Sequence, residues 1–417
     1  MKIAVIGTGI AGLTAAYELR DQHEIHLFER NDYAGGHSNT IRVREGEREL
    51  DLDTGFLVHN PRNYPHLIRF FERLGVETQE SEMSFSVRCH RCDIEYRGSD
   101  VSTIFAQRRN WFRPQIYWML REIFRFYREA PEVIADPRWA DRTLREFVEA
   151  KGYARSFLNH FLWPFCAAIW SAPTGEAAEL PAVFAVRFFQ NHALLSRDGA
   201  PVWRSMVGGS RRYVAAIARC FPDRLYLKRP VRGVRRTERC VRVTDAAGVS
   251  EDFDTVVIAT HGDEALALLE DPSREEREIM SCFTTTPNRT VLHTDADALP
   301  VRAKCRAAWN YELEDCRSPA KDVSVTYSLN RLQKLDSPLE YCVTLNRKRP
   351  IQPAKVLRTI EYTHPCYTLA SFAAQRRLPE INGQRRTWFC GAYFGYGFHE
   401  DGHVAGLEVA RKLGARS

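Results

Sequence analysis

Long apolar runs are missing from this chain. No stretch reaches the roughly 18 continuous apolar residues that a membrane-spanning helix needs. The apolar N-terminal stretch is broken by glycines and does not read as a secretory leader. No G-x-S-x-G elbow occurs, which removes serine-hydrolase logic. No nucleic-acid motif is visible, and a formal charge of +6 over 417 residues is too modest to argue for one. No nucleic-acid partner is expected. The 11 cysteines are an odd number without the paired spacing of a disulfide scaffold. That favours a reducing compartment, hence a cytoplasmic location. Only one C-x-x-C occurs, Cys89 and Cys92. A zinc site needs a second pair, or histidines at finger-like spacing. His90 lies between the two thiols and does not reach both on one face. The surrounding SFSVRCHRCDIEYRG reads as two strands and a hairpin. The pair is therefore expected to be two thiols in a turn, with no metal site. Repeats and low-complexity linkers are also absent, so one compact body is expected.

The information that is present concentrates in the first forty residues. Ile3, Ala4, Val5 and Ile6 form an apolar run of the kind that fills a buried parallel strand. Gly7, Gly9 and Gly12 follow at G-x-G-x-x-G spacing, with Ile10 and Ala11 between. Residues 13–19 read as a helix and 24–28 as a second strand, closed by Glu29 and Arg30. Gly7 permits the tight turn, Gly9 lets a pyrophosphate approach the backbone, and Gly12 lets helix and strand pack closely. The helix start offers unpaired N–H groups and a positive dipole end to phosphates. Glu29 lies 22 residues beyond Gly7, where an acid accepts the hydroxyls of an adenosine ribose. An acid there disfavours a 2′-phosphate, and so NADP. No second such unit exists, which argues against a separate nicotinamide domain.

Gly35, Gly36, His37 and Thr40 come next. Together with the first motif they resemble the flavoprotein superfamily of flavin-containing amine oxidases, protoporphyrinogen oxidase and phytoene desaturases. In that superfamily a Gly-Gly-Arg-x-x-Thr/Ser segment runs along the FAD pyrophosphate; His37 stands here for the arginine. The resemblance continues in Asp53-Thr54-Gly55, with Gly55 and Phe56 near the flavin ring. It continues in FDTVVIATHG (253–262), where Ala259 and Thr260 end a strand and His261 follows. Residues 225–231 resemble the strand that meets the adenine, with Val231 as a backbone contact. Val207, Gly208, Gly209 and Ser210 resemble a Gly-Gly turn before a helix, with Ser210 as a cap. The C-terminus, WFCGAYFGYGFHEDGHVAGLEVARKLG, resembles the closing strand, turn and helix. There Gly391 ends the strand, Gly402 ends the turn, and the helix begins near His403 or Val404. Its N-terminus would stabilise negative charge on a reduced flavin. The resemblance implies noncovalent FAD, since Cys390 is not at the position of covalent attachment. It implies an α/β, Rossmann-type (GR2-like) FAD-binding domain with an inserted α+β substrate domain.

GYGFHEDG, TLNRKRPI, YTHPCY and AAWNY narrow the likeness. They resemble predicted NAD/FAD-binding, amine-oxidase-like proteins associated with cyclopropane-fatty-acid-synthase-like methyltransferases, and the likeness runs to about residue 414. That implies a lipidic substrate and a methyltransferase partner. The FAD-binding domain is expected from residues 1–80, 205–265 and 386–417, and the substrate domain from 81–204 and 266–385. Helices are expected at 113–129, 142–150, 153–170 and 181–194, and strands at 289–294, 304–312, 322–329 and 340–345. In residues 107–128, aromatics interleave with arginines, as in an interfacial helix that touches a membrane peripherally, or in a lid helix with snorkelling arginines. The expected chemistry is hydride exchange between FAD and a modified fatty acyl chain, as dehydrogenation, desaturation or reduction. His399 and Glu400 are the first candidates for acid/base work, followed by His364 and Tyr311. Three alternatives stand beside this reading. One is an amine oxidase with a cage drawn from Tyr393, Tyr396 and Trp309. The others are an electron-transfer partner of a methyltransferase and an isomerase.

Overall fold

The computed structural model describes residues 1–196, 199–317 and 323–415. Position 322 of the expected strand 322–329, and the last two positions of the closing segment 386–417, lie outside the described residues.

Five parallel strands form the first sheet, in the order Thr387–Phe389, Thr255–Ile258, Lys2–Ile6, Glu24–Phe28 and Leu225–Tyr226. Both faces are covered, which is why these strands read as apolar runs without alternation. The period of two sorts their side chains into two cores. Ile3, Val5, Leu27 and Val257 pack against the helices Ile10–Leu19, Arg211–Ala218 and His399–Lys412. Ala4, Ile6, Phe28, Val256 and Ile258 pack under an antiparallel sheet of Val231–Arg236, Val241–Asp245 and Ser250–Phe253. The expected strand 225–231 is thus two strands in two sheets. Pro230 cannot donate to a ladder and Lys228 takes a positive φ of 54°, so the chain turns between them.

A second sheet has seven strands, in the order Val356–Pro365, Thr285–His293, Cys342–Leu345, Val325–Ser328, Trp309–Leu313, Phe85–Cys89 and Ile94–Arg97. All pairings are antiparallel except Trp309–Leu313 with Phe85–Cys89. Residues 304–312 begin with a short 3₁₀ turn, Ala303–Cys305, rather than a strand. The edge strand Val356–Pro365 has no counterpart in the sequence reading. Half of its side chains are exposed and only Tyr362 is buried, so it carries no apolar alternation.

Helices Pro114–Glu129, Leu144–Ala150, Trp163–Trp170 and Ala182–Asn191 share one core with this sheet. The expected helix 153–170 is three pieces: Arg155–Phe157, a π-turn at Leu158–Leu162, and Trp163–Trp170. In Pro114–Glu129, Ile116, Met119, Ile123 and Phe126 are buried, while Tyr117, Trp118 and Phe124 face outward. Phe112, just before it, is 87% exposed. Among the described residues, no helix is long and apolar enough to cross a membrane.

Candidate active site

A cavity of about 1010 Å³ reaches both sheets. Gly7, Gly9, Ile10, Ala11, Glu29, Arg30, Gly35, Gly36, His37, Thr54, Gly55, Phe56, Val231, Ala259, Thr260, Gly391 and His399 all line it. The motif at residues 7–30 or the family resemblance points to each of them. His261 and His364 line it as well; Tyr311 does not.

The glycines shape one end of the cavity. Gly7 has φ +98°, and a Cβ there would stand 2.8 Å from the Ala259 carbonyl oxygen. A Cβ on Gly9 would meet nothing within 4 Å, so open space lies over this residue. Gly9 also caps the first helix without a side-chain bond, leaving the N–H groups behind it free for a ligand. Gly12 is different. It does not line the cavity, and a Cβ would sit 2.0 Å from the Gly7 carbonyl oxygen. Its role is to let the helix pack on the turn. This cradle fits the diphosphate of a dinucleotide.

At the same end, Glu29 is buried at the tip of its strand. Its Oε2 accepts from the Thr8 hydroxyl at 2.5 Å, and its Oε1 from the Asn31 N–H at 2.9 Å. These bonds fix the carboxylate where ribose hydroxyls can reach it. Arg30 pairs with Glu264 at 2.6 Å. His37 stacks on Tyr362, with ring centres 4.8 Å apart, and lies close to His261 and His364. Burial drives His37 well below its ordinary pKa and His364 down to about 4. His37 Nε2 is buried without a hydrogen-bond partner, as are Tyr393 Oη, Tyr367 Oη and Trp309 Nε1. All four residues line the cavity.

The closing helix starts at His399, four to five residues earlier than expected. Asp401 causes this: its Oδ2 accepts from the Phe398 N–H at 2.9 Å and caps the first turn. The earlier start moves several candidates away from the cavity. Glu400 accepts from the N–H groups of His66 and Leu67 at 3.0 and 2.9 Å, and pairs with His66 Nδ1 at 2.8 Å. It therefore caps the helix Pro65–Arg73 and does not line the cavity. His403 bonds Thr14 Oγ1 at 2.8 Å between the first and last helices. Gly402 packs against Ile10 of the first helix, and Val404 is also off the cavity wall. His399 stays on the wall. It stacks on Phe56 with ring centres 3.7 Å apart, and its Nε2 bonds Ser38 Oγ at 2.8 Å. Ser38 Oγ bonds Tyr213 Oη in turn. Burial takes His399 down to about 3, so the ring is neutral at physiological pH.

Val207 to Ser210 do not line the cavity either. Ser210 stands at the start of the helix Arg211–Ala218 but makes no side-chain capping bond; its hydroxyl and N–H donate to Asp53 at 2.7 and 2.9 Å, and Thr40 donates to the same oxygen at 2.6 Å. This buried knot lies directly before Thr54, Gly55 and Phe56. Burial raises Asp53 to about 6.

The other arm of the cavity runs between the helical layer and the seven-stranded sheet. Met83, Phe85, Phe165, Ile169, Trp170, Phe188, Trp203, Trp309, Tyr327 and Leu345 form its wall. Among the described residues, no charged side chain lines this arm. The carboxylates on the cavity wall are Glu29, Asp32, Glu264 and Glu361. The first two lie at the ribose end, Glu264 pairs with Arg30, and Glu361 is on the exposed edge strand. The sequence reading missed the arm's contributions from Met83, Phe85, His192 and Trp203. It also missed Tyr362 and Arg358 on the edge strand. Nothing local marks these residues, because only the sheet pairing brings them together.

Comparison with known proteins then places the chain. Residues 10–302 match the family of flavin containing amine oxidoreductases. The flavin-dependent L-tryptophan oxidase RebO of Lentzea aerocolonigenes is 35% identical over 82 residues, 19% of this chain and 17% of the oxidase. The 1-hydroxycarotenoid 3,4-desaturase of Flavobacterium sp. (strain P99-3) is 35% identical over 123 residues, 26% of this chain and 24% of the desaturase. The matched stretches thus cover under a quarter of either relative. Putrescine oxidase bound to putrescine shares the fold at a TM-score of 0.70 and 15% identity, over 100% of this chain and 99% of that one. The chain belongs to the flavin containing amine oxidoreductase family. By that membership it is an FAD-dependent oxidoreductase with noncovalent FAD, in a Rossmann-type α/β fold carrying an inserted α+β domain. No cysteine lines the cavity, and Cys390 is fully buried away from it.

Proposed function

We propose that this protein oxidises or reduces an apolar, acyl-chain-like substrate beside its flavin. The observation that carries this reading is the long aromatic arm, without a charged side chain among the described residues. An amine substrate would need a carboxylate for its ammonium group or an aromatic cage, to which Tyr393 and Trp309 could contribute, whereas an acyl chain needs only apolar wall. The partial likeness to a carotenoid desaturase supports the same direction.

Bound FAD supplies a two-electron acceptor or donor for a hydride. The chain's own residues do the rest. The N–H groups at the start of Ile10–Leu19 would hold the diphosphate, and Glu29 would accept the ribose hydroxyls. His37, beside Gly35 and Gly36 on the cavity wall, would border the same diphosphate. The arm aligns the substrate and excludes water. His399, neutral and tied to Ser38 and Tyr213, is the candidate for holding or taking a proton; Glu400 is not. Residues 1–80, 205–265 and 386–417 serve as the FAD-binding unit, and 81–204 with 266–385 as the substrate unit. The outward aromatics of 111–124 offer a peripheral contact with membrane lipid. A methyltransferase partner rests on the sequence resemblance alone.

The test is a visible spectrum before and after anaerobic mixing with a lipid extract containing methylated and cyclopropane acyl chains. Bleached flavin bands support lipid oxidation. Unchanged bands, together with peroxide release on adding amines in air, would replace this reading with an amine oxidase.

A further inference from the structure

Away from the cavity, four metal-ligating side chains from three distant stretches of the chain meet. Cys89 ends the strand Phe85–Cys89, and Cys92 sits in the hairpin that follows it. Cys316 comes just after Trp309–Leu313, the strand that runs parallel to Phe85–Cys89. His160 is the middle residue of the π-turn Leu158–Leu162. The three sulfurs and one imidazole nitrogen all lie within 4.8 Å of one another. His160 Nε2 is 3.2 Å from Cys92 Sγ. A tetrahedral zinc ion with Zn–S bonds of about 2.3 Å sets its sulfurs about 3.8 Å apart. The four groups therefore need to close by only about an ångström.

We propose that Cys89, Cys92, Cys316 and His160 bind one structural zinc ion.

The surroundings of the cluster are arranged for this. His160 is only 8% exposed, and its Nδ1 lies 3.3 Å from the Ser156 carbonyl oxygen, to which it donates. That bond leaves the Nε2 lone pair aimed at the sulfurs, the arrangement by which metal-binding histidines are oriented. Asp93, directly after the second thiol, takes φ +48° and turns the chain back into the hairpin. His90 points the other way, to Glu312 at 2.7 Å, and takes no part. The π-turn is itself informative. Such turns are rare in helices and cluster at functional positions. This one keeps Phe157 fully buried while His160 faces the hairpin.

Three thiols and an imidazole make a closed set, with no position left for water or substrate. The role is thus structural. The ion would tie the edge hairpin of the seven-stranded sheet to the helix Trp163–Trp170, whose Phe165 and Ile169 line the apolar arm.

The experiment is elemental analysis of the holoprotein, purified without a metal-affinity step. One zinc per chain is expected. Cobalt(II) exchanged into the site should give tetrahedral d–d bands at longer wavelengths than the flavin absorbs. Cys316→Ser and His160→Ala should each lose the bound metal on dialysis against a chelator while the flavin spectrum stays. If neither variant folds, the cobalt spectrum of the unaltered protein decides. Absence of zinc, with no tetrahedral cobalt bands and with these thiols freely reactive, overturns the proposal. A Cys89–Cys92 disulfide in protein isolated without reductant also overturns it, in favour of a redox pair.

Discussion

Gly9 and Gly12 stand three residues apart in one turn, yet a methyl group added to each should do different damage. Gly9 has an ordinary φ of −64°, and a Cβ there meets nothing within 4 Å. Gly9→Ala should therefore leave the apoprotein's stability within about 0.5 kcal/mol of the parent. The methyl group would nonetheless stand in the open space that the diphosphate needs. Losing one hydrogen bond to a charged phosphate costs about 1.5–3 kcal/mol. That predicts FAD binding weaker by roughly 10- to 150-fold. At Gly12 the added Cβ lies 2.0 Å from a backbone oxygen, which no side-chain rotation can relieve. Gly12→Ala should cost the fold itself about 1–3 kcal/mol or more, as overpacking does. Urea unfolding of the two apoproteins, followed by circular dichroism, measures the first quantity. Titration with FAD, followed by quenching of its fluorescence, measures the second. Unaltered FAD affinity in Gly9→Ala would refute the placement of the diphosphate. Equal destabilisation of the two apoproteins would refute the division of roles.

Four further outcomes are expected. Arg236 and Glu276 form a two-pronged pair with side chains 1% and 2% exposed, so Arg236→Met should cost about 3–5 kcal/mol, read as a fall in the urea midpoint, and adding Glu276→Leu should recover part of it. Burial holds His59, His192 and His293 at about 4 and His403 at about 3, so between about pH 6.5 and 4 the unfolded chain takes up protons that the folded one refuses. Each contributes a stability loss of about 1.4 kcal/mol per pH unit as pH falls through that window. Asp53 and Asp401, raised by burial to about 6, act in the opposite sense below about pH 6 but are fewer; a urea midpoint that rises on acidification from pH 6.5 to 4.5 would contradict this balance. Glu400→Ala should lower stability by about 1–2 kcal/mol through the lost cap of Pro65–Arg73, with flavin spectrum and turnover unchanged; a collapse of turnover at full flavin occupancy would return Glu400 to the chemistry. Phe112→Asp should weaken co-sedimentation with anionic lipid vesicles by roughly tenfold or more, and equal binding would remove this face from any membrane contact.

The cofactor half of this protein is written locally, and so it could be read from the sequence. Strand, turn, helix and acid follow one another within the first thirty residues, and each has its own residue requirement. Gly35 to His37, Thr54 to Phe56 and Ala259 with Thr260 extend the same cradle in short segments. The closing helix was misplaced because Asp401, read as part of a turn, is the residue that starts it. That shift of four to five residues explains why His399 stays on the cavity wall while Glu400 and His403 leave it. The apolar arm was legible only as a wealth of aromatics. Its walls come from segments as far apart as Met83 and Leu345, which meet through strand pairing. The thiol cluster shows the same limit. Cys89 and Cys92 announce themselves, but His160 and Cys316 lie 68 and 224 residues beyond Cys92, with no spacing rule to recruit them.

The packing of Gly402 and Gly406 against Ile10 and Ala11 bears on how the protein is made. A Cβ at Gly406 would stand 2.3 Å from the Ala11 carbonyl oxygen, so the last helix lies directly on the first. The strand Thr387–Phe389 likewise completes the sheet that Lys2–Ile6 begins. During synthesis the nucleotide turn therefore emerges long before Thr387–Phe389 and His399–Lys412, the segments that complete its surroundings. A nascent chain stalled before residue 387 carries the motif without the closing strand and helix that pack against it.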